Sequence, residues 1–146
     1  MNINVALVGP VVVPLPRYQT DGAAGMDLHA ALRDRAVLGP GDRRFIPAGI
    51  AIEIPRGFEG QVRARSGLAL RKGLGVVNSP GTIDSDFRGE IGVLLINFGK
   101  DCIEIHPLDR IGQIVFAPVV HVTLTKVDAL SPTARHDGGY GSTGLR

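Results

Sequence analysis

Residues 79–99 read SPGTIDSDFRGEIGVLLINFG, and this stretch says most about how the chain folds. Turn-forming residues give way to a run at 91–98 that is apolar at nearly every position, which predicts a strand buried on both faces. Asp84 and Asp86 lie in the polar turn before that run. A turn backed by a buried strand can hold a carboxylate still enough for catalysis. The alternative is that each aspartate only bonds its own backbone, as turn aspartates commonly do.

Apolar and polar residues alternate in several other short segments of the chain. The segment 50–54 carries isoleucine at every second position, and 103–105 repeats this pattern around Glu104. Short strands of this kind extend from 3–7 to 119–127, and Gly or Pro separates many of them. The chain has 20 Gly and 10 Pro and few helix-period patterns. We therefore predict an all-β sandwich or barrel.

One short helix is predicted at residues 67–72. Ser66 is its expected N-cap, and Gly73 is placed to end it. Arg65 stands immediately before the helix start, where free N–H groups and the helix dipole favour an anion. This is a phosphate site in outline, although a capped surface helix without a ligand is commoner for so short a motif.

Length and composition limit the classes of function that are open to the chain. Its 146 residues suffice for one domain. The net charge is +2 and the arginines are scattered, so neither nucleic-acid binding nor a membrane surface is expected. Residues 1–16 lack the basic start of a secretory signal, and no apolar run is long enough to span a membrane. We expect a cytoplasmic protein.

The lone cysteine and the histidines carry no recognisable site in the sequence. Cys102 has no partner for a disulfide, and its strand-like surroundings predict a small core residue. His29, His106 and His121 are not spaced as metal ligands, so we interpret them as structural or surface groups.

The chain changes character near its end, which predicts a domain at 1–130 and a flexible glycine-rich arm at 131–146. The arm offers little apolar surface to bury, so it cannot offset the entropy lost on ordering. It is either an ordinary frayed terminus or a segment that orders over a ligand. The second interpretation depends on a charged fork, an aromatic ring and hydroxyls that suit a nucleotide: Arg135, Tyr140, Ser142 and Thr143.

Five segments of the chain, in order and with similar spacing, resemble those of the trimeric dUTP diphosphatases, or dUTPases. They are AGMDLHA from Ala24, RSGLAL from Arg65, GTIDSDFRGE from Gly81, DRIGQIVF from Asp109 and RHDGGYGSTG from Arg135. The resemblance implies a distorted jelly-roll barrel with one short helix, forming a homotrimer with active sites between subunits. The implied reaction hydrolyses dUTP to dUMP and pyrophosphate with Mg²⁺, which supplies dUMP and keeps uracil out of DNA.

The same resemblance assigns roles to individual residues. Asp84 would be the catalytic carboxylate that activates the water attacking the α-phosphorus, and Asp27 would support Mg²⁺ through its water shell. Phe87 stands where tyrosine is usual and His136 where glycine is common. The implied substrate-binding residues are Arg65, Ser66, Gly67 and Gln113 for the phosphates, Asn78, Thr82, Ile83 and Gly92 for uracil, Phe87 for the sugar, and Arg135, Tyr140, Gly141, Ser142 and Thr143 in the arm.

Two other functions remain open at this point. A dCTP deaminase-like enzyme would share the fold and the nucleotide site, although Asp84 and the complete glycine-rich arm favour phosphate hydrolysis. A non-catalytic trimeric jelly-roll binding module would use Asp84 only as a turn residue.

Overall fold

The computed structural model describes residues 1–139. Within this range the chain is built almost entirely from β-strands, which confirms the predicted all-β class with one short helix. No helix in these residues is both long and apolar enough to cross a membrane. The cytoplasmic location stays a prediction. The elements are β1 (Asn4–Leu7), β2 (Met26–His29), β3 (Ala36–Leu38), β4 (Arg43–Pro47), β5 (Ile50–Glu53), β6 (Phe58–Arg63), α1 (Ser66–Lys72), β7 (Leu74–Val76), β8 (Gly81–Ile83), β9 (Gly92–Asn97), β10 (Ile103–Ile105) and β11 (Arg110–Pro118).

The described strands form antiparallel sheets around one apolar core. The largest has the order β2-β11-β6-β8, and a second has the order β4-β9-β7. Two smaller pairs, β1-β5 and β10-β3, complete the arrangement in this part of the chain. Ile50, Ile52 and Ile54 are all buried, as their period-two spacing predicts. Ile103 and Ile105 are buried as well, so the alternating segments do face the core.

The prediction that 91–98 is buried on both faces is wrong for the single chain. Val93 and Leu95 of β9 are buried, whereas Leu94 is 40% exposed and Phe98 is 71% exposed. The sheet β4-β9-β7 turns one face to the core and leaves the other uncovered. A continuous apolar run does not show whether its second face is covered by the same chain.

The predicted strand at 119–127 is also absent: β11 ends at Pro118, and 119–127 carry no strand. Val120, Val122 and Leu124 are 84%, 73% and 91% exposed. The period-two pattern is real, but a strand also needs a neighbour whose N–H and C=O groups pair with it. Within residues 1–139 the Val119 N–H donates to the Gly57 carbonyl at 2.9 Å, and no strand pairs with 120–127.

The short helix begins one residue earlier than predicted. Arg65, not Ser66, is the N-cap, and no side chain caps the helix. The Arg65 carbonyl accepts hydrogen bonds from the N–H groups of Leu68 and Ala69 at 3.0 Å. Gly73 ends the helix in the left-handed conformation with φ of 70°, as predicted.

Cys102 is exposed, so its predicted place in the core is wrong. The turn between β9 and β10, which contains Cys102, is held instead by Asn97, whose side chain is buried with 0% exposure. Its amide nitrogen donates to the Leu38 carbonyl at 3.0 Å and to the Asp101 carbonyl at 2.8 Å. Its amide oxygen accepts from the Gly99 N–H at 2.8 Å. Because a buried amide is stable only when its polar atoms are paired, this network fixes the turn before β10.

Candidate active site

The largest sheet brings three of the predicted site residues together. Asp27 in β2 pairs with Gln113 in β11, and Gln113 pairs on its other side with Arg63 in β6. The chain stays extended beyond Arg63, which delivers Arg65 to the start of α1 beside Asp27.

Asp27 is the centre of a partly buried charge cluster. Its Oδ1 accepts a hydrogen bond from Arg65 Nε at 2.9 Å, and its Oδ2 accepts one from Arg110 Nη1 at 3.1 Å. The Asp27 side chain is only 14% exposed. Arg65 Nη1 also donates to the Arg110 carbonyl at 3.2 Å. The arrangement holds two guanidinium groups in place, and such groups are well suited to bind phosphate oxygens.

Arg110 belongs to this cluster although sequence reasoning did not single it out. It lies in the segment DRIGQIVF, directly after Asp109 and three residues before Gln113. Its place in that segment was the one feature of the sequence that could have identified Arg110 as a site residue. Its charge was not informative, because scattered arginines are common on protein surfaces.

Gln113 already has a protein partner. It is partly buried, and its Nε2 donates to the Ala64 carbonyl at 3.1 Å. Its Oε1 lies 2.4 Å from where a Cβ on Gly25 would stand. A side chain at position 25 would therefore displace the amide of Gln113, so Gly25 keeps that amide beside the charge cluster.

The start of α1 has the geometry of an ordinary surface helix. Ser66 is exposed, and Gly67 is covered by the Arg71 guanidinium, whose Nη2 lies 3.0 Å from the position of an added Cβ. A helix of this length offers a weak dipole, so any anion bound there depends chiefly on the arginines.

A second group of predicted residues surrounds a separate cavity of about 150 Å³. This cavity is formed between β8 and the start of β9, and Phe45 of β4 completes it. All five residues predicted for the base and the sugar line it: Asn78, Thr82, Ile83, Phe87 and Gly92.

Asp84 follows β8 directly and opens a tight turn. Its carbonyl accepts a hydrogen bond from the Phe87 N–H at 3.2 Å. Arg88 Nη1 braces the turn by donating to the carbonyls of Ser85 at 2.8 Å and Phe87 at 2.9 Å. The Asp84 side chain is exposed and makes no side-chain hydrogen bond with residues 1–139. A positioned carboxylate with free lone pairs can accept a proton from a water molecule.

The chain does not bring Asp84 to the charge cluster. Strands β6 and β8 are antiparallel, with Ile83 opposite Gly60, so Asp84 is level with Glu59. Arg65 lies six residues beyond Glu59 along the direction of β6, which corresponds to roughly 20 Å at about 3.3 Å per residue. Asp84 and the charge cluster therefore lie near opposite ends of the sheet.

The predicted arm residues fall mainly outside the described part of the chain. Arg135 is exposed, and its Nε donates to the Gly138 carbonyl at 2.8 Å within a local turn. Tyr140, Gly141, Ser142 and Thr143 lie outside the described residues.

Comparison with known proteins agrees with the motif pattern. The dUTPase family model matches residues 12–144. The chain belongs to the dUTPase family. It is 53% identical to the deoxyuridine 5'-triphosphate nucleotidohydrolase of Anaeromyxobacter sp. (strain Fw109-5), over 99% of this chain and 98% of that relative. It is 54% identical to the enzyme of the same name from Methylocella silvestris, over 90% of this chain and 84% of the relative.

Solved dUTPase structures share the fold. The dUTPase of Staphylococcus bacteriophage 80alpha with dUpNHpp is 23% identical, has a TM-score of 0.89, and the match covers 99% of both chains. A mutant dUTPase from phage phi11 of S. aureus, described with a structural Mg(II) ion, is 21% identical with a TM-score of 0.79. That match covers 88% of this chain and 98% of the phage chain.

The described part of this dUTPase fits a magnesium ion that is held largely by other ligands. Residues 1–139 contain no group of three or more His, Cys, Asp or Glu side chains that could hold a metal. Asp27 supplies one carboxylate, and both of its oxygens already accept from arginine. Mg²⁺ keeps several waters and binds readily through one carboxylate together with substrate phosphates.

His29 stands beside the charge cluster of this dUTPase. Its Nδ1 is buried and has no hydrogen-bond partner among residues 1–139. Burial lowers the pKa of His29; Asp27 opposes the shift, and Arg110 and Arg65 add to it. The lowered pKa favours the neutral imidazole over the charged one beside the two arginines.

Proposed function

We propose that this dUTPase hydrolyses dUTP to dUMP and pyrophosphate in active sites shared between three copies of the chain. The observation that carries the proposal is the separation of Asp84 from Arg65 by roughly 20 Å along the sheet. The phosphates of one nucleotide share bridging oxygens, so the groups that bind them must converge. Asp84 of one copy meeting Arg65 of another satisfies this requirement.

Exposed apolar surface supports the homotrimer. Phe45, Leu94 and Phe98 lie exposed on or beside the uncovered face of the sheet β4-β9-β7. The alternating apolar residues of 119–127 are exposed as well. Contiguous apolar surface on a small protein marks a place where another chain packs, and symmetric closure favours identical copies as the partners.

Asp84 has the attributes of the group that activates water. Its carboxylate accepts a proton as the water oxygen attacks the α-phosphorus in line. The bond from that phosphorus to the α,β-bridging oxygen breaks, and pyrophosphate leaves. Phosphoryl transfer depends mainly on positioning and charge stabilisation. The braced turn after β8 supplies the positioning.

The charge cluster of a second copy would supply the charge stabilisation. Arg65 and Arg110, held by Asp27, would bind phosphate oxygens together with Gln113, and Ser66 and Gly67 would contribute at the helix start. Bound Mg²⁺, held by the phosphates and by Asp27 through water, would neutralise charge on the pyrophosphate group.

The cavity between β8 and β9, which we call the nucleoside cavity, would hold deoxyuridine through backbone groups. Backbone donors and acceptors near Asn78, Thr82, Ile83 and Gly92 can match the polar edge of uracil. Cytosine presents donors and acceptors in reversed positions, which leaves polar groups unpaired in a dry site. The Phe87 ring would pack on the deoxyribose and crowd out a ribose 2′-hydroxyl without needing a phenol oxygen.

The arm at 131–146 would close over the triphosphate, attached to the domain at 1–130. We expect deletion of residues 135–146 to lower kcat/KM for dUTP on the order of 10²-fold, because the arm helps to position the phosphates. Steady-state kinetics and size-exclusion chromatography would show a slow but intact trimer. Removing only 144–146 is the matched control and should leave the rate unchanged. Full activity without 135–146 would refute the lid role.

A substrate panel tests the proposed function directly. Pyrophosphate release would be measured from dUTP, dCTP, dTTP and UTP, with Mg²⁺ and with excess chelator. We expect rapid release from dUTP alone, and only with Mg²⁺. Ammonia released from dCTP would instead favour the deaminase-like alternative. Binding of dUTP without turnover would favour the non-catalytic module.

A further inference from the structure

The turn that carries Asp84, residues 84–90, is anchored at its two ends. It follows β8, and Oε1 of its last residue, Glu90, accepts a hydrogen bond from the Gly49 N–H at 2.9 Å. Within the turn, the described residues show one backbone hydrogen bond, from the Phe87 N–H to the Asp84 carbonyl. Its length of 3.2 Å is at the long end of the range for such bonds. The backbone alone therefore holds the middle of this turn weakly.

Arg88 supplies the strongest contacts inside the turn. Its Nη1 donates to the Ser85 carbonyl at 2.8 Å and to the Phe87 carbonyl at 2.9 Å. Both bonds are shorter than the backbone bond, and both come from a charged donor, which strengthens them. The two carbonyls belong to the residues one and three positions after Asp84. The guanidinium therefore fixes the backbone on which that carboxylate is mounted.

The Arg88 guanidinium is itself held by residues outside the turn. Its Nη2 lies 3.5 Å from Glu53 Oε1. Glu53 ends β5 opposite Asn4 of β1, and its Oε2 accepts a hydrogen bond from Asn4 Nδ2 at 2.7 Å. These contacts join the turn to the β1-β5 pair. Neither Glu53 nor Asn4 lies in any of the five motif segments.

We infer that Arg88 and Glu53 are positioning residues for Asp84: Arg88 holds the turn through two carbonyls, and Glu53 orients the Arg88 guanidinium. This inference rests on the proposed function, in which Asp84 activates water. The side chains of Arg88 and Glu53 are 52% and 54% exposed, so their ion pair adds little to overall stability. Their removal should therefore change kcat and leave thermal unfolding unchanged.

Removing the guanidinium is expected to slow the chemical step. Arg88→Ala should lower kcat for dUTP about tenfold, because a small displacement of a catalytic group costs at least that much. KM should stay within about twofold, since neither Arg88 nor Glu53 lines the nucleoside cavity. The Phe87 amide should exchange its hydrogen faster. Arg88→Lys should restore only part of the rate, because one ammonium nitrogen cannot reproduce the planar fork of donors.

Two double variants test whether both residues act through Asp84. Glu53→Ala alone should lower kcat about threefold, and adding it to Arg88→Ala should cost nothing more, because no guanidinium is left to orient. Arg88→Ala added to Asp84→Asn should keep kcat within about twofold of Asp84→Asn alone, because no carboxylate is left to position. Single-turnover measurements would give each rate.

Arg35→Ala is the matched control. Arg35 also pairs with a glutamate, Glu104, and its side chain is 61% exposed. Among the residues that the structure describes, none of its hydrogen bonds or ion pairs reaches residues 84–90. Its kcat and the exchange rate of the Phe87 amide should equal those of the unmodified enzyme.

The inference is overturned if Arg88→Ala forms a folded trimer and keeps kcat within about twofold of the unmodified enzyme. It is also overturned if the loss caused by Arg88→Ala adds in full to that of Asp84→Asn. Should Arg88→Ala fail to fold, Glu53→Ala decides, because it leaves the sequence of the turn intact, and an unchanged kcat there overturns the inference. Failure of the proposed function looks different: the unmodified enzyme would then release no pyrophosphate from dUTP.

Discussion

Replacing Asp84 by asparagine is expected to lower kcat for dUTP by about 10²- to 10⁴-fold, the usual contribution of a positioned general base. The amide has nearly the shape of the carboxylate but cannot take a proton from water. KM should change little, because Asp84 acts on the water and not on the bound nucleotide. Single-turnover measurements with saturating dUTP would isolate the chemical step.

The turn itself provides a matched control for this substitution. Asp86 is exposed, carries the same charge and lies two residues away in the same turn. Asp86→Asn should keep kcat within a small factor of the unmodified enzyme. Because the Asp84 side chain is exposed and makes no side-chain hydrogen bond with residues 1–139, neither variant should shift the thermal unfolding transition. Equal activity of Asp84→Asn and the unmodified enzyme would remove Asp84 from the mechanism.

Mixing two inactive variants is expected to restore activity if the sites are shared between copies. Asp84→Asn and Arg65→Ala each damage every site when present alone. In a mixed trimer, one site can combine an intact Asp84 from one copy with an intact Arg65 from another. Random mixing in equal amounts makes about three-quarters of the trimers mixed, each with one intact site in three, so about a quarter of full activity should return.

The control mixture combines two substitutions that damage the same phosphate site within one chain. Arg65 and Gln113 lie close together within one chain, on either side of Ala64. Mixing Arg65→Ala with Gln113→Ala should therefore restore nothing, because every copy then contributes a damaged phosphate site. Denaturation and joint refolding would exchange the subunits, and pyrophosphate release would report the outcome. No recovery in the first mixture would place each complete site within one chain.

Much of the fold could be predicted because local patterns report which side of a strand faces the core. Ile50, Ile52 and Ile54 alternate and are buried, and Gly73 ends the helix in the conformation that glycine adopts most easily. The errors have a common cause. Cys102 and the strand at 119–127 were assigned from local apolar character, whereas burial depends on what packs against a segment.

The sequence predicted some of the groupings that the structure shows, but not all of the neighbours in them. Asn78, Thr82, Ile83, Phe87 and Gly92 line one cavity, as the motifs imply. Arg110 and Phe45 were missed, because their neighbours come from distant parts of the chain. Asp27 meets Arg110 across 83 positions of sequence, a contact that strand register creates and no local pattern reports.

The sequence by itself determined the all-β class, the family and the chemical types of the candidate site residues, because these depend on residue identity, period and spacing along the chain. Only the tertiary structure decided that Asp84 and Arg65 lie near opposite ends of one sheet, that Asp27 holds two arginines, and that the Phe45 ring covers Gly92. These facts follow from antiparallel pairing and side-chain packing, which join residues that are far apart in sequence.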